Sequence, residues 1–167
     1  MSGFGVSGFT FCRNAVSLGY PLGESIRSIL PIVDEFVVAL APSDDGTGDL
    51  IEKIGSPKIR IVETAWDDSV TTDARVLSAQ ATFALSRCRF PWAFHLQADE
   101  VIHEEDLPRL QGLMREHAEN REMPQPPCDI VDQYVFLSKQ HRWPENAVGK
   151  PQRLERRLQL GLAPKIG

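Results

Sequence analysis

The chain has 167 residues, and its 42% hydrophobic and 25% charged residues are the composition of one globular domain with a sizeable core. A formal net charge of −5 argues against a nucleic-acid partner, because a phosphate-binding surface needs clustered Lys and Arg. One basic cluster, Arg153, Arg156 and Arg157, occurs near the end of the chain, and a solvated helix face explains it better than a binding patch.

The three cysteines, Cys12, Cys88 and Cys128, lie far apart and lack the paired spacing of a metal site. They therefore fit buried thiols in a reducing, cytoplasmic compartment. No positively charged segment precedes an apolar core at the N-terminus, and no apolar run approaches the roughly 18 residues of a membrane span. We expect neither a signal peptide nor a transmembrane helix.

Strand and helix patterns alternate along the chain. Four segments have strand patterns: residues 4–12, 34–41, 58–63 and 92–96. Between and after them, helical spacing or capping residues predict helices near residues 22–30, 47–54, 72–88 and 104–114. The acidic trio Glu104, Glu105 and Asp106 is more typical of a helix start than of a metal site.

This alternation predicts βαβ units and therefore an α/β fold, a mostly parallel Rossmann-like sheet with helices on both faces. Residues 1–118 form the predicted core. Residues 119–167 add a proline-rich loop, one further strand over 129–137 and a weakly patterned tail with a helical stretch near 153–160, all within the same domain. We find no internal repeat.

Polar side chains follow three of the predicted strands. Arg13 and Asn14 follow the first, Ser43, Asp44 and Asp45 the second, and Gln97, Asp99 and Glu100 the fourth. Because ligands of open α/β sheets bind outside the carboxyl ends of the strands, we expect these groups to converge at one edge. Acidic residues at that edge can hold a divalent cation or a ribose.

Three stretches, FTFCRNA, VDEFVVALAPSDDGT and WAFHLQADEVIHEEDLP, occur in this order within roughly the first 115 residues, with the Trp66 region and the long predicted helix between the second and the third. This pattern resembles the nucleotide-binding N-terminal half of family 2 glycosyltransferases, which have the GT-A fold. The resemblance implies a nucleoside diphosphate sugar as partner and a divalent metal, Mn or Mg, as cofactor. The substrate-binding residues that it implies are Thr10, Arg13, Asn14, Asp44, Asp45, Gln97 and Asp99, and the implied metal ligands are Asp99 and Glu100.

Two motifs depart from the family pattern. Asp99 is the final aspartate of the family's Asp-x-Asp motif, but Gln97 replaces the first and leaves an amide that can bind a ribose hydroxyl. After the second strand, Leu40 and Ala41 stand where the family often has an aspartate pair. Asp44 or Asp45 can then recognise the base, or the Asp-Gly pair can simply form a turn.

The resemblance places the general base of such an enzyme beyond the metal motif, and no residue there is assigned. Asp129, Asp132, Glu145 and Glu155 lie in this part without a family pattern, whereas His95 and His103 are more typical of core or surface positions.

Two interpretations follow: a glycosyltransferase acting on an unknown acceptor, or a truncated, catalytically inactive nucleotide-binding or protein-interaction module. An apolar face left uncovered in the shortened chain favours a homodimer. A phosphoryl-accepting receiver domain shares the acidic edge, but the acidic residues do not begin at the first strand.

Overall fold

The computed structural model describes residues 5–69, 73–90, 92–119, 128–131 and 134–138. Within these ranges the strands are β1 (Val6–Cys12), β2 (Glu35–Leu40), β3 (Ile59–Glu63), β4 (Trp92–His95), β5 (Cys128–Val131) and β6 (Tyr134–Ser138). The helices are α1 (Leu22–Ile29), α2 (Thr47–Glu52), α3 (Asp73–Ser86) and α4 (Leu107–Glu119), with 3-10 turns at Leu30–Ile32 and Glu104–Asp106.

The strands form one sheet in the order β3-β2-β1-β4-β6-β5. β1 is parallel to β2 and β4, and β2 is parallel to β3, which confirms the predicted α/β fold with a mostly parallel sheet. β6 is antiparallel to both β4 and β5.

The prediction of a single further strand over 129–137 is wrong, because this segment contains a hairpin. Only residues 132 and 133 separate β5 from β6 in sequence, and Val131 pairs with Tyr134. Two polar residues between apolar runs did not mark a reversal, since they lack the Asn-Gly or Asp-Gly signal of a short turn. The proline-rich loop at 120–127 and the tail beyond 138 lie outside the described residues.

Helices cover both faces of the sheet, as predicted. Alternate residues of β2 point to opposite sides: Phe36 and Val38 join one core cluster, while Val37 and Ala39 join the other. Helices α1, α2 and α4 contribute to the first cluster, and α3 contributes to the second. The sheet is therefore the middle layer, and polar groups can gather at the ends of its strands.

Helix α1 follows from the spacing of its apolar residues. Leu22, Ile26 and Ile29 recur every three or four positions and are fully buried, whereas Glu24 and Arg27 between them are exposed. Lys58 satisfies carbonyl groups beyond its C-terminus, since Nζ donates to Leu30 O at 2.8 Å and to Val33 O at 2.7 Å.

Cys12 and Cys88 are buried free thiols, as expected from their spacing. The Cys128 side chain lies outside the described residues. Among the helices of the described ranges, none is both long and apolar enough to span a bilayer.

Candidate functional site

A cleft of about 440 Å³ opens at the carboxyl ends of β1 and β4 and extends towards α3. The two strands are direct neighbours, with Leu96 N donating to Phe9 O at 3.1 Å. Residues lining the cleft are Thr10, Phe11, Cys12, Arg13, Asn14, Leu18, Tyr20, Trp66, Leu77, Ala81, His95, Gln97, Ala98 and Asp99.

Five of the predicted site residues line this cleft. They are Thr10, Arg13, Asn14, Gln97 and Asp99. Asp44, Asp45 and Glu100 do not line it, although β2 lies beside β1 as expected. Polar groups after β1 and β4 thus meet in the cleft, whereas the predicted contribution from the residues after β2 is not part of its lining.

Three polar atoms in the cleft have unmet hydrogen-bonding capacity. Thr10 Oγ1, Arg13 Nε and Asn14 Oδ1 are buried and have no hydrogen-bond partner among the described residues. The Thr10 side chain is completely buried. Because an unpaired buried polar atom is costly, these three atoms are candidate contacts for a ligand in the cleft.

The Ser-Asp-Asp-Gly-Thr segment after β2 fixes the loop after β1. Side chains at three alternate positions accept hydrogen bonds from backbone N–H groups of that loop. The pairs are Asn14 N to Ser43 Oγ at 2.9 Å, Val16 N to Thr47 Oγ1 at 3.3 Å and Ser17 N to Asp45 Oδ2 at 2.8 Å. Asn14 itself has φ of 50°, a left-handed conformation that asparagine tolerates better than most residues.

Asp45 is the centre of this arrangement. Its Oδ1 accepts Thr47 N at 3.0 Å and Thr47 Oγ1 at 2.6 Å. Partial desolvation opposes ionisation, but the hydrogen bonds from Thr47 and Ser17 outweigh it and lower the pKa of Asp45 to about 2. Of the two alternatives left open by the sequence, the structure gives Asp45 a turn-forming position, while Asp44 is exposed.

Asp99 is exposed, and its carboxylate makes no hydrogen bond or ion pair with another described residue. No group of three His, Cys, Asp or Glu side chains in the described ranges forms a ready metal cage. A hard cation can nevertheless use one carboxylate when substrate phosphates and water supply the other ligands, and Asp99 fits that arrangement.

Glu100, the other predicted metal ligand, is oriented towards its own loop. Its Oε2 accepts Gln97 N at 3.0 Å, and Glu100 N donates to Gln97 O at 3.1 Å. A metal-binding role for Glu100 stays a prediction.

Arg13 is the only Lys or Arg among the described residues that line the cleft. Its guanidinium pairs with the Asp68 carboxylate at 2.6 Å and 3.3 Å and lies 5.5 Å from the Trp66 ring centroid. The hydrogen bond to Asp68 raises the pKa of Arg13 above its ordinary value.

Aromatic and aliphatic side chains form the remaining walls. The aromatic side chains Phe11, Tyr20 and Trp66 line the cleft, together with Leu77 and Ala81 of α3. Burial raises the pKa of the Cys12 thiol to about 12, with the negative charge of Asp45 adding to the effect. That thiol is therefore a packing group and not a nucleophile.

The two histidines have different positions. His95 is buried in contact with Phe9 and Phe11, at centroid distances of 4.9 Å and 6.1 Å, and also lines the cleft. His103 is exposed and caps the 3-10 turn, since Nδ1 accepts Glu105 N at 3.2 Å. These are the core and surface positions expected from the sequence.

Sequence reasoning missed Trp66, Asp68 and Leu77 as parts of the site. The position of Trp66 in the acidic loop after β3 could have indicated it. β3 is parallel to β2, so its carboxyl end lies on the same side of the sheet as those of β1 and β4. Asp129 lies in β5 without a described side chain, and Asp132, Glu145 and Glu155 lie outside the described residues. The general base therefore stays unassigned.

No protein-family model matches the chain, and a search of curated proteins finds no match. Solved structures do match it. Residues 1–349 of TarS from S. aureus align with a TM-score of 0.57 and 15% identity, covering 90% of this chain and 53% of TarS 1–349.

A second match is glucosyl-3-phosphoglycerate synthase from Mycobacterium tuberculosis, solved with Mn²⁺, UDP and phosphoglyceric acid. Its TM-score is 0.52 at 16% identity, and the match covers 83% of this chain and 57% of that protein. TarS 1–349 has also been solved with UDP.

The chain thus spans little more than half the length of these proteins. Both matches extend over most of its own length, and at this identity they establish the architecture. The chain has the GT-A fold of these glycosyltransferases, as its sequence predicted.

Proposed function

We propose that the cleft binds a nucleoside diphosphate sugar together with a divalent metal, and that the chain is a family 2 glycosyltransferase acting on an unknown acceptor. One observation carries this proposal. The unmet polar atoms of Thr10, Arg13 and Asn14 and the free carboxylate of Asp99 belong to a single cleft at the strand ends.

Each part of such a ligand has a counterpart in the cleft. The aromatic side chains Trp66 and Tyr20 would suit a nucleobase, and the Gln97 side chain would suit a ribose hydroxyl. Arg13 and Asn14 supply a cation and an amide for polar groups of the nucleotide. Asp99 is the group that we assign to the metal.

The metal is Mn²⁺ or Mg²⁺ in this proposal. It would neutralise charge on the departing diphosphate when bound. Asp99 would hold it with oxygens of the diphosphate, since no second carboxylate is among the described residues lining the cleft. The Mn²⁺ and UDP bound to the mycobacterial synthase support this choice.

The second candidate function is binding without transfer. Asp99 is the only Asp or Glu among the described cleft residues, so the cleft offers no separate carboxylate to deprotonate an acceptor. The Gln97 substitution in the Asp-x-Asp position favours the same candidate. Such a module would use its exposed apolar side chains Val16, Leu18 and Val101 for a partner or a second copy.

Calorimetry with UDP, GDP and dTDP sugars, each with and without Mn²⁺, tests the proposal. We expect metal-dependent binding of one of them, and its loss in Asp99→Ala. Asp49→Ala is the matched control, because Asp49 is an exposed aspartate of α2 outside the cleft. Absence of metal-dependent binding to all three donors contradicts the donor site.

A second measurement separates the two candidate functions. Incubation of the bound donor with Mn²⁺, followed by detection of the free nucleoside diphosphate, reports transfer or hydrolysis. Binding without release of diphosphate supports the inactive module, and sedimentation in the same buffer shows whether the chain is a homodimer.

A further inference from the structure

Two serines of helix α1 hold the loop that carries Asp99. We call residues 97–102 the carboxylate loop. Ser25 Oγ donates to Gln97 O at 3.0 Å, and Ser28 Oγ accepts Ile102 N at 3.1 Å. The two serines lie one helical turn apart, and each contact joins residues more than 70 positions apart in sequence.

The two anchors are connected to each other. Ser28 Oγ also donates to Ser25 O at 2.7 Å, so its hydroxyl serves as donor and acceptor together. Inside the loop, Glu100 completes a turn with Gln97 through the two hydrogen bonds described above. The loop is therefore fixed at both ends by α1 and closed in the middle by Glu100.

Asp99 depends on these contacts for its position. Its carboxylate is exposed and makes no hydrogen bond with another residue of the described ranges. No contact of the Asp99 side chain with another described residue fixes its orientation in the cleft. The backbone of the carboxylate loop, anchored by Ser25 and Ser28, selects it instead.

We propose that Ser25 and Ser28 are positioning residues for Asp99 and determine how strongly a divalent metal enhances nucleotide binding. This inference rests on the proposed function of the cleft. If the carboxylate loop holds Asp99 in the metal-binding position in only a fraction of the molecules, the apparent affinity for UDP with metal is reduced by that fraction. Removing a serine hydroxyl increases the population with a displaced Asp99.

The expected effect is larger in the presence of metal than in its absence. Losing one hydrogen bond of this kind corresponds to about a threefold to tenfold loss of affinity, so Ser25→Ala and Ser28→Ala should each weaken UDP binding by that factor in Mn²⁺. In the absence of metal the loss should be smaller, because Thr10 and Arg13 belong to β1 and its following loop, and Gln97 is then the one carboxylate-loop residue that we assign to the nucleotide.

Ser28→Thr provides a conservative rescue. A helical threonine favours rotamers that place Oγ1 on the carbonyl three or four residues earlier, which is the contact Ser28 makes with Ser25 O. Ser28 is only half-buried, which leaves solvent space for the added methyl group. Ser86→Ala is the matched control, because Ser86 Oγ makes the same type of bond to Phe83 O on exposed α3 surface.

The experiment measures UDP affinity by calorimetry with and without Mn²⁺ for the full chain and these four variants, together with hydrogen exchange of the Ile102 amide. Support requires faster Ile102 exchange in Ser28→Ala and a smaller metal enhancement in Ser25→Ala and in Ser28→Ala. It also requires wild-type enhancement in Ser28→Thr and Ser86→Ala.

Equal losses of UDP affinity with and without metal overturn the inference, since they indicate a general loss of structure. Faster Ile102 exchange with full metal enhancement overturns it as well. A wild-type chain whose UDP affinity does not respond to Mn²⁺ contradicts the proposed metal site itself, and this is recognised before any variant is made.

Discussion

Arg13 and Asp68 form a two-point ion pair between the loop after β1 and the loop after β3. The side chains are 31% and 71% exposed, respectively. Asp68 can therefore return to water at little cost, since exposed pairs contribute little to stability. Arg13 is the one Lys or Arg among the described residues that line the cleft, and it is therefore the cation available to an anionic ligand. Asp68 neutralises this cation.

We expect Asp68→Asn to strengthen binding of UDP. The freed guanidinium of Arg13 can then contact phosphate without losing a counter-ion, which corresponds to about a twofold to fivefold increase in affinity. Uridine, which lacks phosphate, should bind Asp68→Asn and wild type equally. Calorimetry at low and high salt checks both statements, because the gain should shrink as screening increases.

Asp67→Asn is the matched control for charge. Asp67 is adjacent in sequence, but its carboxylate accepts hydrogen bonds from Ser69, which lower the pKa of Asp67, and it does not contact Arg13. It should leave UDP affinity unchanged. If Asp68→Asn weakens binding, Asp68 orients Arg13 for the ligand instead of competing with it.

A second prediction concerns Asp45 and acid. The folded-state pKa of about 2 lies below the value of about 3.9 for an unfolded aspartate. Ionised Asp45 therefore stabilises the fold above about pH 4, and this contribution disappears as the pH falls through about 2. The Tm difference between wild type and Asp45→Asn should be largest near neutral pH and shrink over that window.

Thermal unfolding between pH 2 and pH 7 checks this, with Asp44→Asn as the control. Asp44 is exposed beside Asp45, so its substitution should leave Tm almost unchanged at every pH. A Tm difference for Asp45→Asn that does not vary with pH would mean that the hydrogen bonds from Thr47 and Ser17 do not need the ionised carboxylate.

The helix and sheet layers of this fold were predictable because burial on one face or on both gives each element a characteristic spacing of apolar residues. The β2 run Phe36 to Ala39 is apolar at every position since both faces of a central parallel strand are covered. Ile26 and Ile29 mark the single buried face of α1. The β5–β6 hairpin was not predictable, because apolar content does not encode strand direction and its connecting residues lack a recognisable turn signal.

The cleft was predictable where a polar residue lies at or near the end of a strand. Asn14 lies two residues after β1, and Asp99 lies four residues after β4. Asp68 reaches Arg13 across 55 residues of sequence, and Ser25 reaches Gln97 across 72, so these contacts arise only from the packing of distant elements. The alternation of Ser43, Asp45 and Thr47 indicated turn chemistry without indicating which loop it fixes.

A third prediction concerns Glu35, a buried carboxylate at the start of β2. It accepts Ser7 Oγ at 2.7 Å and the backbone N–H of Arg89, and it faces the Arg60 guanidinium at 3.4 Å. Glu35→Ala removes an acceptor from buried donors and should lower the free energy of unfolding by about 2–4 kcal/mol. Urea unfolding measures it, with Glu63→Ala at the exposed end of β3 as control.

The final prediction concerns Gly8, which is buried in the middle of β1. A Cβ at this position would lie 2.4 Å from Phe36 Cδ2 and 2.9 Å from Phe36 Cε2, both closer than side-chain contacts allow. Because Phe36 is itself fully buried in the core, it cannot move aside cheaply. Gly8→Ala should therefore destabilise the chain by about 1–3 kcal/mol.

Gly48→Ala is the contrasting variant. Its nearest atom would be Leu40 Cδ2 at 3.5 Å, an ordinary contact, and Gly48 lies in helix α2, where alanine is favoured by up to about 1 kcal/mol. Urea unfolding should thus move the two midpoints in opposite directions. If Gly8→Ala unfolds at the wild-type midpoint, β1 and Phe36 can separate by several tenths of an ångström, and the core between β1 and β2 is less tightly packed than the structure indicates.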